Sequence, residues 1–443
     1  MRVWETGASA VRRVPVLLIV LLVVLPGSAR AATVSLGEPT NEYFSGPSLN
    51  FVAAGGERNE VTIGVGADRS VTIRDVAAPL VAGTGCQALD GHRARCSSGD
   101  PASEIESGYA DLKDGDDRVA AIVPRAAGWG ALGLRGGAGA DMLDASAAEN
   151  VVDPKGGFGS VVLGGGAGAD RLIGGQGDDT FVGGAGDDTL AGGAGADTLD
   201  GDDSNRRPRG NDSIGGGSGD DTVSYEGRRT RVRVDLARPA RARARKERDS
   251  LVSIENVIGG EAHDVLLGGA GNNRLQGSGT LFQHRGAGDT LVGRGGNDEL
   301  LDFGGRSRLS GGAGADELAG TDAHDRLRCG RGRDTVSESG GALVPRSCER
   351  FTTQDHAYGP FVVRRNAAIV RTRPLGRGGE CKVILTLRSR ARVVYGRARF
   401  RRARRVVISL TRAGRRAAAS HRVVLVDAFE RCADTHDVWR VRL

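Results

Sequence analysis

Four nine-residue segments follow one another without a gap: GGAGADRLI (165–173), GGQGDDTFV (174–182), GGAGDDTLA (183–191) and GGAGADTLD (192–200). Each places an aspartate after a glycine-rich turn and an apolar residue two positions beyond it. Asp170, Asp179, Asp188 and Asp197 are therefore nine residues apart, and Leu172, Phe181, Leu190 and Leu199 follow them in the same register. Residues two apart lie on one face of a strand, so each segment reads as a turn feeding a short strand with one inward side chain. The chain holds 71 glycines in 443 residues, which are costly to order. A disordered tract would have no reason to keep an apolar residue at the second position after every aspartate.

The pattern continues with interruptions. GGAGADMLD (136–144) contributes Asp141, and LKDGDDRVA (112–120), around Asp117, reads as a degenerate first copy. After a six-residue insertion, Asp212 and Asp221 resume the spacing of nine, the latter in GGSGDDTVS. A later array runs Asp289, Asp298, Ser307, Asp316, Asp325 and Asp334, with Leu291, Leu300, Leu309, Leu318, Leu327 and Val336 inward. Ser307 breaks this row of carboxylates, as Asn273 does in GGAGNNRLQ (268–276). Between the arrays lie DTVSYEG (221–227), RVRVDL (231–236) and DSLVSIENVIGGEAHDVLLGG (249–269), which includes Asp264. The connecting ARPARARARKER (237–248) reads as a solvated basic excursion.

The motif G-G-x-G-x-D-x-U-x resembles that of the haemolysin-type, or repeats-in-toxin (RTX), calcium-binding family. The resemblance implies an all-β fold: a right-handed parallel β-roll of nonapeptide calcium repeats, here flanked by small disulfide-bearing β modules. Two nonapeptides would make one turn, stacking Asp170 over Asp188 and Asp179 over Asp197. Calcium prefers about six to eight hard oxygen ligands in flexible geometry. The implied carboxylate ligands are Asp141, Asp170, Asp179, Asp188, Asp197, Asp212, Asp221, Asp264, Asp289, Asp298, Asp316, Asp325 and Asp334. Backbone carbonyls would come from Gly166, Gly168, Gly175, Gly177, Gly184, Gly186, Gly193 and Gly195. Turns next to Asn273 and Ser307 are expected to keep the fold and bind the ion weakly or not at all.

Arg12 and Arg13, an apolar run from Val14 to Leu25, and Ala29-Arg30-Ala31 read as a signal peptide over 1–31. The run is short of the ~20 residues a membrane span needs, and no later stretch is long enough. The expectation is an exported, extracellular protein, with cell-surface association left open. Six cysteines suit an oxidising compartment. Of the fifteen possible connectivities, proximity favours Cys86–Cys96, Cys329–Cys348 and Cys381–Cys432.

The net charge of +6 hides an asymmetry: residues 355–443 hold 22 Arg and Lys against 6 Asp and Glu, +16, which leaves −10 for 1–354. The organisation expected is an N-terminal β module (32–107), a lead-in (108–135), the roll (136–337), a cap (338–354) and a basic sandwich-like β module (355–443). The acidic part is the metal-binding part, so the roll is expected to order only when calcium neutralises its rows. No H-E-x-x-H, G-x-S-x-G or P-loop occurs, and the seven histidines are scattered, with His263 and His324 in exposed turns. The sequence thus points to a non-catalytic, calcium-stiffened structural or adhesive protein. A second reading has the basic C-terminal module and the 237–248 segment engage an anionic envelope polymer or polysaccharide, with nucleic acid less favoured. A third is a glycan-active enzyme whose two carboxylates carry no recognisable spacing.

Overall fold

The computed structural model describes residues 31–337 except 38–46, 67, 100–104, 125–128, 150–159, 204–209, 238–239, 245–246, 278–286 and 321–324. It also describes Cys348 and the backbone strands between 350 and 442. The signal-peptide residues up to Arg30, the Cys381–Cys432 pairing and His324 lie outside the described residues. Among the described residues there is no helix, and so none long and apolar enough to cross a membrane.

Two long sheets form the body, one of 15 strands and one of 16. Each nonapeptide gives one strand, and successive nonapeptides alternate between the sheets. Arg171–Ile173 pairs in parallel with Thr189–Ala194, bringing Leu172 beside Leu190 in the second sheet. Thr180–Ala185 pairs in parallel with Thr198–Asp202, bringing Phe181 beside Leu199 in the first. One coil is thus 18 residues of two equal halves. Leu172, Phe181, Leu190 and Leu199 are at most 1% exposed, so the core is one side chain deep from each sheet. The same files continue through Leu143, Ile214 and Val223, and later through Leu266, Leu275, Leu291, Leu300, Leu309 and Leu318, all buried.

The sheets do not begin with the glycine-rich repeats. Ser107–Asp111 pairs in parallel with Ala131–Ala138, and Ser48–Val52 in parallel with Ser107–Asp111. In the other sheet Glu60–Val65 and Met142–Ala148 flank Arg118–Val123, all parallel. The N-terminal strands with alternating patterning therefore add coils to the same stack. Beyond them antiparallel pairs enter: Ala32–Gly37 against Ser48–Val52, and Glu60–Val65, Val71–Asp75 and Arg93–Cys96 in sequence, while Leu80–Ala82 closes the first sheet parallel to Ala32–Gly37. The outermost hairpin is closed by Cys86–Cys96. The first sheet ends at this side on the three-residue strand Leu80–Ala82, and so short an edge limits edge-to-edge pairing. At the other end Arg350–Thr352 pairs with Thr335–Ser337, and Cys329, fully buried, is joined to Cys348. Further on, the backbone forms two antiparallel sheets, one of Tyr358–Arg364, Ala367–Thr372 and Arg405–Ser409, the other of Val383–Arg388, Val394–Phe400, Val423–Glu430 and Thr435–Arg442.

The basic segment 237–248 differs from the solvated excursion read from its charge. Arg241–Ala244 is an interior strand of the second sheet, antiparallel to Val232–Asp235 on one side and to Glu247–Val252 on the other. The reason is its alternation: Ala242 and Ala244 are buried while Arg241 and Arg243 point outward. A period of two outweighs net charge when every second residue is small and apolar. Glu247–Val252 then rejoins the parallel stack beside Ser213–Ser218, and Val232–Asp235 beside Val265–Leu267. Between Ser213–Ser218 and Val265–Leu267 the second sheet holds three strands. Between Thr222–Ser224 and Arg274–Gln276 the first holds one.

Candidate metal centre

Each repeat can be numbered from its first glycine, which places the aspartate at position 6. The position-6 carboxylates form two files, one along each edge of the roll. On one edge the Asp170 backbone N–H donates to Oδ1 of Asp188 at 2.8 Å, and Asp188 N–H to Oδ1 of Asp212 at 3.0 Å. That file extends upstream through Asp141 and Asp117, whose N–H groups bond Asp170 at 2.8 Å and Asp141 at 2.9 Å. On the other edge Asp179 N–H donates to Asp197 at 2.8 Å and Asp197 N–H to Asp221 at 3.0 Å. Oδ1 therefore ties one coil to the next. Oδ2 is left over: in Asp141, Asp170, Asp188, Asp197, Asp212 and Asp221 it is buried without a hydrogen-bond partner. The same holds for Asp298, Asp316 and Asp334 in the later array. Leaving a charged oxygen so placed is expensive, and its recurrence at one repeat position calls for a cation.

The carboxyls register that cost. Burial away from water, above all, raises Asp170 to about 6 and Asp188 to about 7, with the neighbouring aspartates in the file adding to the rise. Asp197 rises to about 7 and Asp212 to about 8 for the same first reason, with Asp249 next among the charges on Asp212. Asp179 and Asp264 reach about 6; in both, Oδ2 accepts a backbone N–H, from Gly175 at 3.0 Å and Gly260 at 2.7 Å.

Carbonyl oxygens supply the rest of the oxygen surface. A Cβ placed on Gly184 (φ +117°) would lie 2.1 Å from the Gly166 carbonyl oxygen, and one on Gly186 (φ +134°) 1.8 Å from that of Gly168. The carbonyls of Gly175 and Gly177 stand likewise against Gly193 and Gly195, at 2.3 and 2.1 Å. Only glycine tolerates both this backbone and this approach. Position 1 adds what the sequence reading did not name. A Cβ on Gly165 would meet Asp170 Oδ2 at 2.4 Å and the Gly183 carbonyl oxygen at 2.6 Å. The same convergence recurs at Gly192, with Asp197 Oδ2 at 2.2 Å and Gly216 O at 2.4 Å. The unpartnered carboxylate oxygen and a position-1 carbonyl of the next coil thus flank one point.

This donor set fits calcium. It is all hard oxygen, and carboxylate and carbonyl ligands are those the ion takes. Among the described residues no group of three or more His, Cys, Asp and Glu could hold a metal, so an ion must take much of its shell from the backbone. The glycines make that possible.

Departures from the repeat have their own solutions. Asp249 and Glu255, absent from the sequence expectation, continue the two files: Asp212 N–H donates to Asp249 at 3.2 Å and Asp221 N–H to Glu255 at 3.0 Å. Both obey the acid-x-apolar rule, with Leu251 and Val257 inward, but no glycine turn precedes them. Val232 holds position 6 in the inserted coil, where its N–H bonds Asp264 Oδ1 at 2.7 Å. There the charge is internal: Arg228, 1% exposed, pairs with Asp202 and Glu247 and stacks over Tyr225 at 4.8 Å, while Tyr225 donates to Asp249 at 3.0 Å. Beside Asn273, Arg294 at position 2 donates to the Gly268 carbonyl at 2.7 Å and to both Asp235 oxygens at 2.7 and 3.1 Å. A guanidinium thus covers a position-1 carbonyl where the carboxylate is missing. His263 is exposed, its Nδ1 2.8 Å from the Gly288 carbonyl oxygen.

A family model described as the RTX calcium-binding nonapeptide repeat (4 copies) matches residues 155–181, 164–199, 209–227, 255–279 and 301–336. No curated protein matches the chain.

Proposed function

Since the repeats of this chain are RTX calcium-binding nonapeptide repeats, we propose that it is an exported structural or adhesive protein whose roll orders on binding several calcium ions. The observation that supports this best is the set of buried Oδ2 atoms without partners, repeated along both files. Carboxylates stacked a coil apart repel one another, and a divalent ion between them turns repulsion into coordination. The ligands proposed are the position-6 aspartates, with the position-1 carbonyls joining those of positions 2 and 4. Calcium then stabilises by mass action on the folded form, without catalytic turnover. Export would deliver the chain to roughly millimolar calcium, the range in which extracellular calcium modules work. The test is far-ultraviolet circular dichroism of the full chain in chelator and in calcium. A strong gain of β signal with calcium is expected; identical spectra would overturn the reading.

A second reading, contact with an anionic polymer such as an envelope polysaccharide, is favoured by one surface. Arg233, Arg243 and Arg248 lie directly opposite one another across three adjacent strands of the second sheet, all exposed. Like charges placed so are unfavourable, and a polyanion would relieve them. Replacing all three by serine is expected to lower the salt needed to elute the full chain from heparin. Unchanged elution would remove this surface from the reading.

A further inference from the structure

The carboxylate file interrupted at Ser307 is not short of a carboxylate. Elsewhere positions 1 and 6 compete for one space: a Cβ on Gly293 would lie 2.1 Å from Asp298 Oδ2, and one on Gly311 2.3 Å from Asp316 Oδ2. In the repeat DFGGRSRLS (302–310) both positions change together, to Asp302 and Ser307. A side chain at position 1 is tolerated beside an acidic position 6 at Cys329, whose sulfur is drawn off to Cys348. Asp302 instead turns into the file. Its Oδ2 accepts the Asp289 N–H at 3.1 Å, the bond that a position-6 carboxylate makes in the other coils, and Ser307 Oγ accepts the same N–H at 3.2 Å. Its Oδ1 accepts the Gly304 N–H at 2.8 Å, and the Ser307 side chain hydrogen-bonds the carboxylate. Asp302 is fully buried. A Cβ on Gly277, at the start of the coil before, would lie 2.6 Å from Asp289 Oδ2 and 3.1 Å from Asp302 Cγ. Asp289 Oδ2 and the Asp302 carboxyl group, its Cγ nearest, therefore lie beside the point where an aspartate and a carbonyl meet in the regular coils.

We propose that Asp302 is a calcium ligand, supplying from position 1 the carboxylate that Ser307 lacks at position 6, so that the file through Asp264, Asp289 and Asp325 binds calcium at this coil too. This rests on the reading of the files as calcium sites. The serine is then the small partner that leaves room for the relocated acid, and the coil is a rearranged site in place of a defective one.

Calcium bound per full-length chain, counted by elemental analysis and followed by titration calorimetry, tests it. Asp302→Asn is expected to lose one ion, Ser307→Ala to keep the native count, and Asp302→Gly with Ser307→Asp to restore it by returning to the consensus arrangement. Asp188→Asn, in the regular block, is the reference and should also lose an ion. If Asp302→Asn keeps the native count and isotherm while Asp188→Asn does not, the assignment of Asp302 is overturned and the calcium reading stands. If neither loses an ion, the reading beneath it falls as well. Should Asp302→Asn fail to fold, the double variant decides: a native count supports the relocation, and a count one short overturns it.

Discussion

At the scale of single residues, Asp188 shows how the repeat couples shape to charge. One of its oxygens serves as a backbone acceptor for Asp170, and the other is buried with no protein partner. A carboxyl whose folded pKa is raised stabilises the fold below its unfolded value of about 4, and that contribution is lost as pH rises through the folded value. With Asp170 and Asp179 at about 6, Asp188 and Asp197 at about 7 and Asp212 at about 8, the window runs from about 4 to about 8. In chelator, the full chain should therefore gain β signal on acidification from pH 8 towards 5. Calcium affinity, which needs the anions, should fall over the same interval; circular dichroism and calorimetry read the two trends. Most of these carboxylates were legible from spacing alone. Asp302 was not, because it stands at a position where the motif asks for glycine, and its role emerges only from the Asp289 N–H that it accepts. The position-1 carbonyls were equally hidden, since no letter of a sequence says where a C=O points.

At the scale of elements, a position-6 aspartate is worth what its neighbours in the file make of it. Asp188 lies between Asp170 and Asp212. Asp325 stands at the end of its file, since its strand Arg326–Arg331 is the last of the second sheet. Asp188→Ala should therefore weaken calcium binding more than Asp325→Ala; equal losses by calorimetry would contradict the ranking. The inserted hairpin follows a different logic. Its arginine count suggested solvation, yet the alternation of Ala242 and Ala244 with Arg241 and Arg243 makes it an interior strand. Asp249 and Glu255 escaped notice for a related reason: the insertion separates them from any glycine turn, leaving two letters of the motif. Arg294 places a fixed cation beside Asn273, on the Gly268 carbonyl, and Arg228 places one between Asp202 and Glu247 in the inserted coil. In the middle of the roll, Asp202, Glu247 and Asp235 are thus paired with arginines of the chain itself.

At the scale of the whole molecule, coil stacking and the apolar files were legible from the repeat. The continuity of the N-terminal strands was not, because Ser48–Val52 and Glu60–Val65 carry ordinary alternation without the glycines, and alternation alone does not say what a strand pairs with. Calcium-dependent order is thus expected to reach strands with no consensus repeat, since they share sheets with those that do. The alternation of half-coils also bears on how such a chain can change size. Excising 174–191 removes one full circuit and leaves each later leucine and aspartate on its own side. Excising 183–191 alone would send everything downstream to the opposite wall, carrying the hairpin and Cys329 with it. The longer deletion is expected to keep a cooperative melt in calcium and the shorter one to lose it, by calorimetry. Growth and shrinkage of this protein therefore have a parity: viable lengths come in even numbers of motifs, and an odd step turns the remainder of the molecule inside the wrong way round.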